Sequence, residues 1–407
     1  MKIVLFAPSD AYLFNFRGAL AAALHSAGHE VLMVAPPGPF GERFEALGYR
    51  WCPAPMERAG MNPFKELWLI VWLCRLLRRE RVDLVHGFII KGAVYGALAG
   101  RAAGVAGRVA SITGMGYLFL HDGRLSRLLR GLVRVLFRVA FSGPGVRVVV
   151  QNQDDLALFQ DERLARPGIL AMIPGSGVDC ERFAPGPDQN GSSRGEDPMA
   201  STTAPFRVLL PARLLWHKGL AEYLGAAQIL KGQGRNIEFL LAGAPDESNP
   251  TSVTEATVAA WEAQGLIEWL GYVEDMPSLY RTIDAVVLPS YREGLPKVLV
   301  EGAAAGLPLV TTDVPGCREV VTDGHDGLLV PARDPQALAE AIARLQDDPD
   351  LRARLGNAAR AKALAQFDGH IIIDRFFKVY DGLVKGFAPG AGPRPYQRLS
   401  QRQSSSQ

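Results

Sequence analysis

Two carboxylates and two cations are the residues of this chain whose types and spacing best suit chemistry. Glu293 and Glu301 stand with seven residues between them in Arg292-Glu293-Gly294-Leu295-Pro296-Lys297-Val298-Leu299-Val300-Glu301-Gly302, just after an apolar run ending at Pro289-Ser290. The segment reads as a strand, a loop and the start of a helix. Such a junction presents backbone N–H groups and the positive end of the helix dipole, which suit an anionic or hydroxyl-rich ligand. Glu293 precedes the helix, and Glu301 lies one turn beyond Lys297 on the same face. Either the two carboxylates reach different parts of one extended ligand, or they are an acidic loop residue and an ordinary Lys–Glu surface pair.

The cations are Arg213 and Lys218 in Pro211-Ala212-Arg213-Leu214-Leu215-Trp216-His217-Lys218-Gly219, after another apolar run. A guanidinium fork and a compact ammonium at a strand's carboxyl end make a diphosphate clamp; the alternative is two solvated surface cations. Neither loop is a G-x-x-x-x-G-K-[ST] phosphate loop. The first apolar run ends in Ala7-Pro8-Ser9-Asp10 without G-x-G-x-x-G, which argues against a dinucleotide dehydrogenase. Asp348-Pro349-Asp350 has the spacing of an acidic metal pair, but between two helical segments it reads as a turn with an N-cap. No metal site and no cofactor is expected.

The elements that must position these residues alternate strand-like and helix-like runs, the pattern of parallel sheets covered by helices. Strands are expected near 3–7, 30–35, 84–88, 108–113 and 147–151, then 206–211, 237–242, 267–273, 285–289 and 309–312. The resulting domains are 1–184 and 206–369, joined by a linker at 185–205 where Gly, Pro, Ser, Asn and Asp dominate. An amphipathic helix follows at 370–387, then a Gly-, Pro-, Gln- and Ser-rich tail at 388–407 expected to be mobile. Two α/β domains face each other across a cleft in this reading, the place where such sheets hold ligands.

Composition agrees. The 407 residues are 48% hydrophobic and 21% charged, with 44 Lys+Arg against 42 Asp+Glu and a net charge of +2. That balance speaks against a nucleic-acid binder but allows a local basic patch. Four cysteines without a C-x-x-C pair point to a reducing, cytoplasmic compartment. No stretch approaches the roughly 20 apolar residues of a spanning helix, and the opening run turns too early for a signal peptide. One further pattern stands out. Arg124, Arg127, Arg130, Arg134 and Arg138 follow steps of three and four on a helix without acids. They form either a solvated face or a contact with an anionic membrane surface.

Taken together, the motifs resemble those of the family 4 retaining glycosyltransferases. Glu293 and Glu301 are similar to that family's E-x7-E motif, and Arg213 and Lys218 to its basic pair. Asn15-Phe16-Arg17, His86, Thr113-Gly114-Met115-Gly116-Tyr117-Leu118-Phe119, Gln151-Asn152-Gln153-Asp154-Asp155 and Gly175-Ser176-Gly177-Val178-Asp179 resemble its bacterial surface-polysaccharide members. The resemblance implies a GT-B fold, two Rossmann-like domains with acceptor on the first and donor on the second. It implies that Glu301 binds the donor ribose, and that Glu293, with the N–H groups of Gly294 and Leu295, holds the transferred sugar. Arg213 and Lys218 stabilise the departing diphosphate, Val273 meets the base, and Gly177 lies on the donor side. Asn15, Arg17, His86 and Lys91 fall on the acceptor side. The implied reaction is metal-free, retaining transfer from a UDP-sugar, an N-acetylhexosamine by the nearest resemblance, to a polyprenyl-diphosphate-linked saccharide. It would take place on the inner face of the cell membrane, with the enzyme peripherally attached. A sugar-nucleotide 2-epimerase of the same fold and a non-catalytic nucleotide-sugar-binding subunit are the alternatives.

Overall fold

Runs such as Lys2-Ile3-Val4-Leu5-Phe6 carry no polar alternation, so they need cover on both faces, which a parallel sheet between helix layers supplies. The computed structural model has that architecture twice. It describes residues 1–57, 60, 62–115, 124–186, 204–246, 249 and 251–388; the side chains of 124–130 and 132 are not described.

The first sheet is built from β1 (Lys2–Phe6), β2 (Glu30–Ala35), β3 (Arg50–Pro53), β4 (Leu84–Phe88), β5 (Gly107–Ile112), β6 (Val146–Val150) and β7 (Leu170–Met172). Between them run α1 (Asp10–Ser26), α2 (Gly41–Ala46), α3 (Pro63–Arg79), α4 (Ile89–Ala103), α5 (Arg124–Ala140) and α6 (Gln153–Asp161). The strand order is β3-β2-β1-β4-β5-β6-β7, all parallel, so the winding direction reverses between β1 and β4. Alternate side chains of β1 serve opposite cores. Ile3 and Leu5 pack with α1, while Val4 and Phe6 pack with Leu69, Leu73, Leu76 and Leu77 of α3.

The second sheet comprises β8 (Phe206–Pro211), β9 (Ile237–Ala242), β10 (Glu268–Gly271), β11 (Ala285–Leu288), β12 (Leu309–Thr312) and β13 (Leu328–Val330) in the order β10-β9-β8-β11-β12-β13. Its helices are α7 (Leu220–Gly232), α8 (Glu255–Ala263), α9 (Met276–Tyr280), α10 (Lys297–Ala304), α11 (Cys317–Val320), α12 (Pro335–Asp347) and α13 (Pro349–Lys362). The reversal here falls between β8 and β11. Asp334 and Asp348 cap α12 and α13, accepting from Ala337 N–H and Leu351 N–H, each with proline next in sequence. Asp348-Pro349-Asp350 is thus a turn with an N-cap, as expected.

The chain divides into Met1–Ser176 with the segment from Gly369, and Gly177–Asp368. Sequence placed the first boundary at 184, but Val178, Cys180 and Phe183 belong to the second core, and Val178 bridges Asp368. The last helix, α14 (Gly369–Asp381), packs in the first unit, where Ile372, Ile373, Phe376, Phe377 and Tyr380 are buried with Ile3, Leu5 and Leu84. Five such side chains contribute on the order of 10 kcal/mol of transfer free energy. The linker expected at 185–205 lies outside the described residues over 187–203, and so does the tail from 389.

His86 ties that helix to the sheet. It is wholly buried on β4, with Nδ1 2.7 Å from the Tyr380 hydroxyl and Nε2 2.7 Å from the Ser111 hydroxyl. Burial, reinforced by the nearby Arg17 charge, pushes its pKa well below the ordinary value. Below about pH 6.5 the unfolded chain therefore binds a proton that the folded one rejects, so stability present above that pH is lost as pH falls. His29 and His217 are also lowered by burial and act in the same direction. Melting of wild type and His86→Gln between pH 7.5 and 5.5 isolates the His86 share: the variant should show the shallower decline in Tm. Parallel declines would remove this role.

Candidate active site

Parallel pairing of β8 with β11 brings two loops out at the same sheet edge. The loop after β8 carries Arg213, then a 3-10 turn at Trp216–Lys218, and leads into α7. The loop after β11 runs from Pro289 to Pro296 and leads into α10. They are laced together. Tyr291 N–H donates to the His217 carbonyl at 3.0 Å, and Lys218 Nζ donates to Glu293 Oε1 at 2.5 Å. Ser290 Oγ donates to the same carboxylate oxygen at 2.6 Å, and Glu293 N–H donates to the Pro315 carbonyl at 3.1 Å. Both partners of the Lys218–Glu293 pair are largely buried, so removing one would strand the other's charge at a cost of about 3–5 kcal/mol.

Two glycines permit this approach. Gly219 has φ +80°, and a Cβ there would stand 2.1 Å from the Pro289 carbonyl oxygen. Gly316 has φ +81°, and its Cβ would stand 2.5 Å from the Glu293 carbonyl oxygen. No L side chain fits either place without shifting the motif.

Along α10, Glu301 is only 6% exposed. Its Oε1 lies 3.2 Å from Lys297 Nζ, and the Tyr280 hydroxyl lies 3.4 Å from Oε2. The Lys–Glu pair expected from the spacing is present, yet this carboxylate belongs to the interior and not to a solvated surface. Burial, then the Glu301 charge, hold the Tyr280 hydroxyl protonated far above its usual range, so it stays a donor. No side-chain cap closes the N-terminus of α10, whose N-cap is Pro296.

Arg213 takes a different partner. Half exposed, it donates from Nη1 to Asp246 Oδ2 at 2.6 Å, beyond the end of β9. Val273 follows β10 and is half-buried beside the exposed Tyr272. Gly294 and Leu295 lie in the motif loop, half-buried. Gly177 opens the second unit, ahead of Val178, whose N–H donates to the Phe367 carbonyl. Sequence reasoning missed the brace behind the motif. Tyr291 donates its hydroxyl to the buried Glu222 carboxylate, 2.8 and 3.0 Å from the two oxygens, and the Arg333 guanidinium covers its ring at 4.7 Å. The only available signal was the adjacency of Tyr291 to Arg292-Glu293. Cys317 lies nearby; burial, with the Glu293 charge second, pushes its thiol up to about 12, which favours the protonated thiol.

In the first unit the structure corrects several expectations. His86 is a packed residue, fully buried with both ring nitrogens engaged by Tyr380 and Ser111. Lys91 is a tether: its Nζ donates to Glu66 Oε1 at 2.7 Å and to the carbonyls of Glu57 and Gly60. Arg17 is 2% exposed, gives Nε and Nη2 to the Tyr12 hydroxyl, and stacks over Phe88 at 4.5 Å. Of the residues expected to meet an acceptor, Asn15 is exposed. The arginine series is corrected as well. Arg134 pairs with Glu162, and Arg138 donates to the carbonyls of Arg163 and Glu162 at 2.9 and 3.1 Å, so both are turned to their own domain. Arg124, Arg127 and Arg130 lie on α5, with side chains outside the described set, and residues 116–119 of the Thr113–Phe119 motif also lie outside.

Comparisons with known proteins follow this division of the chain. Residues 16–175 match the family described as Glycosyl transferase 4-like domain, and residues 198–362 match Glycosyl transferases group 1. The N,N'-diacetylbacillosaminyl-diphospho-undecaprenol alpha-1,3-N-acetylgalactosaminyltransferase of Campylobacter jejuni is 28% identical over 95% of this chain and 100% of its own. The UDP-Gal:alpha-D-GlcNAc-diphosphoundecaprenol alpha-1,3-galactosyltransferase of Escherichia coli is 25% identical over 78% and 79%. Among solved structures, a glycosyltransferase from Rickettsia africae superposes with TM-score 0.73 at 18% identity, covering 95% of this chain and 98% of its own. Anabaena HepE in complex with UDP and glucose gives 0.72 at 20%, covering 94% and 100%. At these identities the solved structures speak for the fold alone.

The glycine contacts give a direct test of the packing. Gly324→Ala, at φ +68° with open space around it, should cost only the left-handed backbone penalty of about 1–2 kcal/mol. Gly316→Ala must also displace the Glu293 carbonyl, for a total of about 3 kcal/mol or more. Denaturant unfolding measures both, and equal losses would contradict the tight approach.

Proposed function

The chain belongs to the family 4 glycosyltransferases of the GT-B fold, surface-polysaccharide type, and from that premise we propose retaining transfer of an N-acetylhexosamine from a UDP-sugar to a polyprenyl-diphosphate-linked saccharide. The observation that carries this reading is the Lys218–Glu293 pair at the mouth of α10, with Glu301 buried on the same helix. The names of the Campylobacter and Escherichia relatives, both transferases acting on diphospho-undecaprenol-linked sugars, support the acceptor class.

In this reading Glu301 accepts hydrogen bonds from the ribose hydroxyls, and Glu293 accepts them from hydroxyls of the transferred sugar, with Gly294 and Leu295 N–H groups donating beside it. Lys218 turns from Glu293 to the diphosphate, and Arg213 adds its fork from the neighbouring loop. The bond from the anomeric carbon to the β-phosphate oxygen breaks, its electrons passing to the phosphate. The acceptor oxygen bonds to that carbon on the same face, and its proton goes to a phosphate oxygen. Configuration is thereby retained. The charge growing on the leaving diphosphate meets these two cations and the N-terminus of α10. Val273 and Gly177 are proposed on the donor side and Asn15 on the acceptor side. The enzyme works from the cytoplasm, peripherally attached to the inner membrane face.

Incubation with a panel of UDP-sugars, with and without a polyprenyl-diphosphate saccharide, tests this reading. Acceptor-dependent UDP release and a product with the donor's anomeric configuration are expected; conversion of the UDP-sugar into its 2-epimer without acceptor would replace it. Lys218→Ala and Arg213→Ala should each lower kcat by about 10²-fold, whereas Glu301→Ala should mainly raise the donor KM. Turnover should persist in excess chelator, since two protein cations are assigned to the leaving group.

A further inference from the structure

We propose that helices α3, α4 and α5 form the surface that meets an anionic lipid bilayer, with Phe64, Leu67, Trp68 and Val71 of α3 as the inserting residues. The inference deepens the membrane reading above and moves its main contact from the arginines of α5 to a different helix.

Topology puts the three helices in one layer. They follow β3, β4 and β5, their crossovers lead in one direction along the sheet, and α4 packs against both α3 and α5. The inner side of α3 is an ordinary core face of four leucines. Its outer side is not ordinary. Phe64 is 82% exposed, Leu67 61%, Trp68 53% and Val71 39%. Spacings of three, one and three residues join them into one stripe. Single exposed apolar side chains need no explanation, but four large ones in a row mark an interaction surface. Asn62 caps this helix and Pro63 starts it, so the stripe is presented on a well-formed first turn. The same helical row continues into Arg75 and Arg78, both exposed, and Arg79 stands next to them. On α5, Val135, Leu136 and Val139 are exposed in the same way, while Phe137, Ala140 and Phe141 fill the core.

The charge of the layer selects the occupant. In sequence, α3 carries four cations and one acid, α4 two cations and no acid, and α5 five cations and no acid. The one acid, Glu66, is held by Lys91. By sequence the three helices hold a formal excess of ten positive charges in a chain whose net charge is +2, and seven remain once Glu57, Glu80 and Glu162, which pair with Lys65, Arg79 and Arg134 from just outside the helices, are counted. A second copy of the chain would bring the same cations against these, and like charges repel. Protein interfaces deplete charge at their cores. A plane of phosphate headgroups above hydrocarbon complements both features at once: cations for the headgroups, and Phe, Leu and Trp for the boundary beneath.

Two kinds of contact with different salt dependence follow, and flotation with vesicles separates them. Vesicles of phosphatidylglycerol and phosphatidylcholine should bind wild type, and pure phosphatidylcholine should bind it at least tenfold less. Phe64→Ser/Leu67→Ser/Trp68→Ser should bind anionic vesicles at least tenfold more weakly at low and moderate salt alike. Arg75→Glu/Arg79→Glu should bind more weakly at low salt, with the difference shrinking as salt screens the charges. Emission from Trp68 should shift to the blue on anionic vesicles, a shift missing in Trp68→Phe. All variants alter exposed positions, and an unchanged Tm confirms their folding. Wild type that stays unbound at low salt, or a triple variant that floats like wild type, overturns the proposal. So does a wild-type dimer that the triple variant breaks in the absence of vesicles. Transfer to a short-chain, water-soluble acceptor keeps the two readings apart. Transfer without flotation removes only this inference, and flotation without transfer to any acceptor removes only the proposed activity.

Discussion

Parallel pairing of β8 with β11 is the constraint from which the candidate active site follows. Lys218 and Glu293 are 75 residues apart in sequence, yet strands in register at Val208–Ala285 and Leu209–Val286 must release their loops side by side. Because winding reverses at this pair, α7 and α10 leave the edge in opposite directions, the arrangement in which open α/β sheets bind ligands. The remaining features are consequences. Loops emerging so close need Gly219 and Gly316 where a Cβ would collide, and they need Ser290 and Lys218 to share the carboxylate that this closeness buries. The brace from Glu222 to Tyr291 completes the set, since a loop tied only through its functional side chains would move whenever a ligand displaced one of them.

The first unit has the same reversal, between β1 and β4, and fills it with different chemistry. There the buried cation is Arg17, whose described hydrogen bonds go to the Tyr12 hydroxyl and whose guanidinium lies over Phe88. Aromatic faces offset part of the cost of burying a charge. A second positive charge nearby would be costly, which is one cause of the low pKa of His86. Neutral, that histidine can donate from one ring nitrogen and accept at the other, and so join Ser111 on β5 to Tyr380 on α14. A residue that looked reactive by type is a strut, and its charge state is what the strut requires.

This shows where the sequence was legible. Strands covered on both faces announce themselves as unbroken apolar runs, so β1, β2, β4, β8, β9 and β12 were readable to within a residue. Edge strands β3, β7 and β13 are only three or four residues long and carry no such run. The motif loops were readable because a strand–loop–helix junction has a sequence form. Partners were not, because the identity of a cation's counter-charge depends on which loops become neighbours. Lys218 finds Glu293, Arg213 finds Asp246, and Lys91 finds Glu66, none of them local. The helical period placed Arg134 and Arg138 on one face of α5. Which face turns to the protein is decided by the turn just after α6, where the carbonyls of Glu162 and Arg163 and the Glu162 carboxylate take both guanidinium groups.

Charge is therefore used in two ways along one chain. Around α10, cations and carboxylates are matched: Lys218 with Glu293, Arg213 with Asp246, Lys297 with Glu301. Much of the desolvation cost of Lys218 and Glu293 is met on folding, so in the proposed reading an incoming diphosphate replaces the carboxylate as the partner of Lys218. Such exchange acts only at contact distance and barely alters the surrounding field. In α3 to α5 the cations greatly outnumber the acids, and their field adds over the layer, reaching roughly a Debye length, about 8–10 Å, into solution. Matched pairs suit the discrimination of a bound ligand, and a layer with a net cationic excess suits the orientation of a whole domain toward an anionic plane. In the proposed reading, the segregation of the two patterns lets one net charge near zero serve both tasks.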